Sequence, residues 1–276
     1  MTQLAAHTLL DTATATIKDV VCRGEHRHKS AEEFARATHL VFPYRGVYVR
    51  HLGSYEAVAE ANQVLFFNGG EGCRVSHPVP GGDASLALWI SEPLLGELAP
   101  KEQVRKGSTL AFRQPRLRID PRAQALVALL RHGLHQRAMD TLEAEALVLT
   151  LVRRSLGERT SHAPGASAGR QKLVDRAKLV LSADPARHWT LAGIAAEVGV
   201  SPVYLTQAFQ QVEGTPLYRY QLRLRLARAL DLLGAYDNLT TLAIELGFSS
   251  HSHFSSAFRQ AYGRTPAEFQ RSVDLR

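Results

Sequence analysis

Six side chains in the first third of the chain could ligate one metal ion: Cys22, His26, His28, Glu32, Cys73 and His77. Residues 26–32 read H-x-H-x3-E. Histidines two apart on a strand share a face, and a carboxylate just beyond them can close on the same ion. Cys22 lies on the apolar run leading into this pattern, and His77 follows Cys73 by four positions. Thiolate with imidazole suits zinc or another thiophilic divalent cation. Two other readings of the same residues stand beside this one. The histidines read equally as exposed loop residues with both cysteines small core residues. Cys22 and Cys73 also read as a redox pair, which needs Cα atoms within about 7 Å.

A second chemistry lies in the last hundred residues, where one pattern occurs twice. Ala195-x3-Gly199-x-Ser201 is followed by Phe209, Gly214 and Thr215-Pro216. Ala243-x3-Gly247-x-Ser249 is followed by Phe258, Gly263 and Thr265-Pro266. In the first copy, Thr190 is an N-cap for a helix over 191–198, and Ala195 is small where two helices cross. Gly199 ends that helix at positive φ, where glycine has no Cβ to clash. Ser201-Pro202 supplies a cap and a proline at the first helical position. The next helix, 202–212, buries Leu205 and Phe209 and leaves a face free to enter a major groove. In the second copy, Asn238 caps 239–246, Gly247 makes the turn, and Ser249 or Ser250 starts a helix that buries Phe254 and Phe258. Residues 216–233 form one long connecting helix with Leu222, Leu226, Ala229 and Leu233 inward. Arg219, Arg223, Arg225 and Arg228 are spread around it. A rigid connector holds two reading helices at a fixed separation, and major-groove openings on one face of DNA lie about 34 Å apart.

On these landmarks, residues 189–271 resemble the DNA-binding domain of the AraC/XylS regulators. The most specific stretch is LAIELGFSSHSHFSSAFRQAYGRTPAEFQ, residues 242–270. The resemblance implies double-stranded DNA as partner. It places base contacts at Val203, Thr206 and Gln207 in the first helix and at His251, Ser252 and Ser256 in the second. Arg223 and Arg259 are phosphate candidates. The family often has arginine where Gln207 and Ser256 stand, so guanine readout weakens and phosphates and DNA shape carry more. The upstream H-x-H-x3-E resembles the first motif of metal-binding cupins, with Asn68–Cys73 in the place of the second. There asparagine replaces the usual proline and cysteine the usual histidine, and the glycine that usually opens the first motif is absent. This resemblance sets Cys73 across a barrel from His26 and His28. Many sensor domains of such regulators are cupin-like, and many bind an organic effector and no metal.

The elements that position these groups divide the chain. Runs at 17–22, 46–51, 64–67 and 86–90 are rich in Val, Leu, Phe and Tyr. Turn residues bound them: Gly24, Pro43, Gly53, Asn68-Gly69-Gly70 and Pro80-Gly81-Gly82-Asp83. This pattern reads as an all-β barrel or jelly roll. Phe42, Tyr44, Phe66, Phe67 and Trp89 are available to line an organic-ligand pocket or the core. Two helices over 121–156 carry apolar periods at Leu126, Leu129, Leu130 and Leu134, then at Leu142, Ala146, Leu149, Val152 and Leu156. They cover their own domain or make a dimer face. Residues 157–170 are small and polar, a linker.

The expected fold is therefore α+β in two domains: a cupin-like barrel with helices over 1–156 and an all-α double helix-turn-helix over 171–276. The chain has 276 residues, 33 Lys plus Arg against 26 Asp plus Glu, and net charge +7, which suits a polyanionic partner. Two cysteines fit a reducing compartment rather than a disulfide framework. No signal peptide and no apolar run near 20 residues is apparent, so a cytoplasmic protein that does not enter membranes is expected. The sequence reads as a DNA-binding transcription regulator, a homodimer with no catalytic residues. RNA polymerase is the partner through which an activator would work. A thiophilic metal is the leading effector and a small organic molecule the alternative; a metal-dependent cupin enzyme fused to a DNA-binding domain is a further one.

Overall fold

A computed structural model of the chain describes residues 4–24, 27–107, 109–157 and 167–273. The chain divides near residue 161 into two compact units. Among the described residues no helix is long and apolar enough to cross a membrane.

The first unit is built on antiparallel sheets. One has six strands in the order β1 (Leu4–Asp11), β2 (Ala15–Cys22), β9 (Asp83–Ile90), β4 (His39–Gly46), β7 (Gln63–Phe67), β12 (Arg116–Arg118). A second has the order β3 (Glu33–Phe34), β8 (Gly72–Ser76), β5 (Tyr48–Leu52), β6 (Tyr55–Ala59). β10 (Val104–Lys106) and β11 (Leu110–Phe112) form a separate ribbon. A closed barrel was the expectation; among the described residues none forms. β1 and β12 end the large sheet and β3 and β6 the smaller one, with no ladder between the two among the described residues.

Each apolar run expected as a strand overlaps one, but strands such as β1, β6 and β8 lie outside those runs, and β4 meets one only at Gly46. Pro43, read as a turn residue, sits inside β4, where the register with β9 shifts between Pro43 and Arg45. An irregularity of this kind is where a strand tolerates a residue without an N–H. Phe42, Tyr44 and Phe66 belong to the core, together with Ile17, Leu40, Leu86 and Leu88.

Two longer helices close this core. α1 (Glu92–Leu98) precedes α2 (Pro121–His135), which Asp120 caps through Ala123 N–H at 2.9 Å, and α3 (Thr141–Leu156), which Asp140 caps. The helical periods are as expected, but the phase of α3 differs. Ala144, Val148, Leu151, Val152 and Leu156 join the core, whereas Leu142 is 76% exposed and Ala146 is also exposed. The inward stripe starts at Ala144, two residues later than the leucine pattern implies.

The second unit is all α. α4 (Ala168–Ala183) packs with α5 (Leu191–Glu197) and α6 (Pro202–Glu213) around Leu173, Val174, Leu181, Ile194, Leu205 and Phe209. Fully buried Lys178 of α4 forms an ion pair with Glu213 at the end of α6, with Asp175 at 3.9 Å and the Tyr220 ring centroid at 5.6 Å. α7 (Leu217–Leu232) leads through a 3-10 turn to α8 (Leu239–Glu245), α9 (His251–Tyr262) and α10 (Pro266–Val273). On α7, Leu226 and Ala229 are buried as expected, as is Leu233 just beyond it, whereas Leu222 is only half-buried; Tyr220 and Leu224, on another side of the helix, join the core around α4, α5 and α6. Phe254, Phe258, Tyr262 and Phe269 stack edge to face through the last two helices.

Candidate nucleic-acid interface and effector cavity

Local caps set both candidate reading helices. Thr190 Oγ1 accepts from Gly193 N–H at 3.0 Å, and Ser201 Oγ accepts from Tyr204 N–H at 3.2 Å, with Pro202 behind it. Asn238 accepts from Thr240 and Thr241 N–H. Ser250, one of the two serines expected to do so, accepts from His253 N–H at 3.1 Å and caps α9. These bonds satisfy N–H groups that a helix start otherwise leaves open. Gly199 and Gly247 lie at φ +71° and +78°.

The apolar stripe of α6 faces inward through Leu205, Ala208 and Phe209, which leaves Val203, Thr206 and Gln207 exposed, Val203 at 67%. On α9, Phe254, Ala257 and Phe258 face inward; His251, Ser252, Ser256 and Arg259 are exposed. Thr206 already donates its hydroxyl to Pro202 C=O at 2.9 Å, so toward a partner it offers lone pairs and a methyl. His251 Nε2 lies 3.3 Å from Ser255 Oγ. Arg223 is only half-exposed.

Arg225, expected as one of several arginines spread around a helix, is a structural clamp. Nε donates to Pro185 C=O at 2.7 Å, and Nη1 to Gly247 C=O at 2.8 Å. Nη2 donates to Ala186 and Arg187 C=O at 3.1 and 3.0 Å. The turn of the second helix-turn-helix is thereby tied to the loop before the first. The approach is close: a Cβ on Gly247 would sit 2.1 Å from Ala186 O.

The first unit contains a cavity of about 660 Å³ lined from several strands. At one place His39 stacks between Phe67 and Trp89, at 5.0 and 4.4 Å between ring centroids, and Lys18 Nζ lies 5.3 Å from the Trp89 centroid. Burial pushes the His39 pKa down, partly opposed by its contact with Ala37 C=O. Elsewhere on the wall, His77 Nε2 lies 2.7 Å from Asp83 Oδ2, and Cys22 is beside them.

The six expected ligands divide among different places. Cys22 and His77 come together, with Asp83 as a third member that sequence reading missed. Cys73 and His28 line the same cavity but do not join that group. Burial pushes the Cys73 thiol pKa up, partly opposed by the Arg50 guanidinium beside it. Glu32 does not line the cavity and lies against Gly72. His26 is outside the described residues. Of the aromatics, Phe67 and Trp89 line the cavity.

A family model described as a helix-turn-helix domain matches residues 194–272. The chain is 29% identical over 197 residues to a putative AraC-like transcription regulator of Streptomyces antibioticus, covering 69% of this chain and 62% of that protein. It is 29% identical over 239 residues to the HTH-type transcriptional regulator GadX of Escherichia coli O6:H1, covering 86% and 84%. A crystal structure of a transcriptional regulator with an AraC-type DNA-binding domain, from Chromobacterium violaceum, is 34% identical. It covers 40% of this chain and 98% of its own, with a TM-score of 0.37. Residues 194–272 are a helix-turn-helix domain. The matched stretch contains every residue expected at a DNA contact, while the cavity lies outside it.

Proposed function

We propose that the chain is a transcription regulator whose AraC-type domain reads DNA with α6 and α9. The observation that carries this reading is the exposure of the outer faces of two similarly capped helices behind φ-positive glycines. Val203, Thr206 and Gln207 form one reading face, and His251, Ser252 and Ser256 the other. Gln207 is suited to bidentate pairing with adenine, and Arg259 and Arg223 to phosphates. Fluorescence anisotropy on a selected DNA site tests the assignment. Gln207→Ala should cost about 1–3 kcal/mol on that site and relax preference at one base pair, whereas Arg259→Ala should weaken all sequences alike and lower the salt slope by about 1. Equal losses on specific and random DNA for both variants would remove the base-reading role of α6.

The first unit serves in this reading as the sensor, its cavity taking the effector. A thiophilic divalent cation is the leading class, supported by the grouping of Cys22 with His77. The His39, Phe67, Trp89 and Lys18 cluster supports a small organic effector with an aromatic or anionic part as the second reading. Thermal shift of the full chain with metal salts and with an organic panel separates the two. A homodimer that recruits RNA polymerase completes the proposal. Leu142 and Ala146 on the outer side of α3 support a second copy as cover, and sedimentation of the DNA-binding sample measures that stoichiometry.

A further inference from the structure

We propose that Cys22, His77 and Asp83 form a site for one thiophilic divalent cation, with zinc as its representative. The inference deepens the sensor reading above and rests on it for any regulatory meaning. One ligand atom from each of the three residues lies within 4.8 Å of the others, and all three residues are buried.

Strand register brings two of them together. β2 pairs with β9 so that Cys22 stands opposite Asp83. His77 comes from elsewhere, directly after the end of β8 in the other sheet. The chain between His77 and Asp83 must therefore turn back tightly against β2. Gly82 permits this, because a Cβ there would lie 2.3 Å from Cys22 O; Gly24 faces it, and a Cβ on Gly24 would lie 2.7 Å from Gly82 Cα and 2.9 Å from the His77 ring. Two glycines at positive φ let backbone meet backbone where the three donors converge.

The donor set fits the ion. Zinc bonds to sulfur at about 2.3 Å and to nitrogen or carboxylate oxygen at about 2.0–2.2 Å, so tetrahedral ligand atoms stand roughly 3.3–3.8 Å apart. The three donors lie within 4.8 Å of one another, and the His77–Asp83 hydrogen bond, 2.7 Å long, needs to open by about 1 Å or less to admit the ion. One thiolate and one carboxylate balance a divalent charge, so the occupied site carries no net charge into the interior. As the sulfur–metal bond forms, the thiol proton leaves to solvent and no electron is transferred. The three protein ligands leave a fourth position open toward the cavity, as in zinc sites that also take water or an exogenous ligand. Binding would fasten the connection between β8 and β9 to the end of β2, joining the two sheets at one point.

The test uses the full chain, stripped with chelator and titrated with Co²⁺ and then Zn²⁺. One equivalent of Co²⁺ should give a thiolate-to-cobalt charge-transfer band that Zn²⁺ displaces. Cys22→Ser should lose the band. Asp83→Asn should weaken Zn²⁺ binding by more than the roughly 10–100-fold typical of losing an outer-shell partner. Cys73→Ser should keep the band. Circular dichroism melts of the metal-free variants confirm that each is folded. A folded wild type with no band overturns the site, as does a band that survives Cys22→Ser and disappears in Cys73→Ser. DNA binding by the metal-free chain is read separately: a bound metal with DNA affinity unchanged by chelator keeps the site and removes its sensing role.

Discussion

At the scale of single residues the two helix-turn-helix copies diverge where the sequence makes them look alike. Gly199 and Gly247 occupy equivalent places and both lie at positive φ. Around Gly199 a Cβ would meet nothing within 4 Å, whereas on Gly247 it would strike the Ala186 carbonyl at 2.1 Å. Gly199→Ala should therefore lose only the backbone term, about 1–2 kcal/mol. Gly247→Ala pays that term and must also displace a carbonyl that Arg225 holds at 3.1 Å. We expect it to be the more destabilising of the two by a clear margin, with faster amide exchange in both α8 and the loop at 184–187. Hydrogen-exchange mass spectrometry on the paired variants measures this, and equal protection in the two would refute the steric account. The difference is invisible in sequence because Ala186 lies 61 positions before Gly247; only the folded loop brings them together.

At the scale of elements, the position of the first reading helix depends on a buried charge pair. Lys178 on α4 and Glu213 at the end of α6 are both fully buried and paired. Such a pair is weak evidence of net stabilisation, but removing one partner leaves a buried charge without its counter-ion and costs about 3–5 kcal/mol. Lys178→Met alone should lower the denaturation midpoint of the second unit steeply, and Lys178→Met with Glu213→Leu should restore much of the loss. Chemical denaturation followed at Trp189, in a Trp89→Phe background, distinguishes them; a double variant no better than the single would show that the pair is not the coupled unit described. Local rules made these helices legible in advance: Thr190, Ser201 and Asn238 as caps and Gly199 and Gly247 as turns act within a few residues of their partners. The Cys22–His77–Asp83 cluster was legible only in part. Cys22 and His77 are chemically conspicuous, but Asp83 earns its place through the β2–β9 register, which no short-range pattern encodes. The H-x-H-x3-E pattern drew attention to Glu32 instead, whose position against Gly72 keeps it away from the group.

At the scale of the whole molecule, the proposed function turns on how one domain spans two grooves. α7 is a 16-residue helix, about 24 Å long at 1.5 Å per residue. The Arg225 clamp ties the second turn back to the loop before the first, so α7 is not a free hinge. A reader built this way should require a fixed spacing between its two DNA subsites. Inserting 5 base pairs between the subsites turns the second groove to the opposite face, since one helical turn is about 10–10.5 base pairs. The insertion should reduce affinity at least tenfold, toward that of a site with one subsite scrambled. Inserting a full turn restores the face but adds about 34 Å, beyond the reach of a connector held at both ends, so it should not restore binding. Arg225→Ala releases one of those constraints and should narrow the difference between the native and inserted sites, by weakening the native one. Anisotropy titrations of wild type and Arg225→Ala on the three spacings decide the matter. Full recovery with the 10-base-pair insertion in the wild type would mean that α6 and α9 bind independently, and that the clamp contributes stability alone.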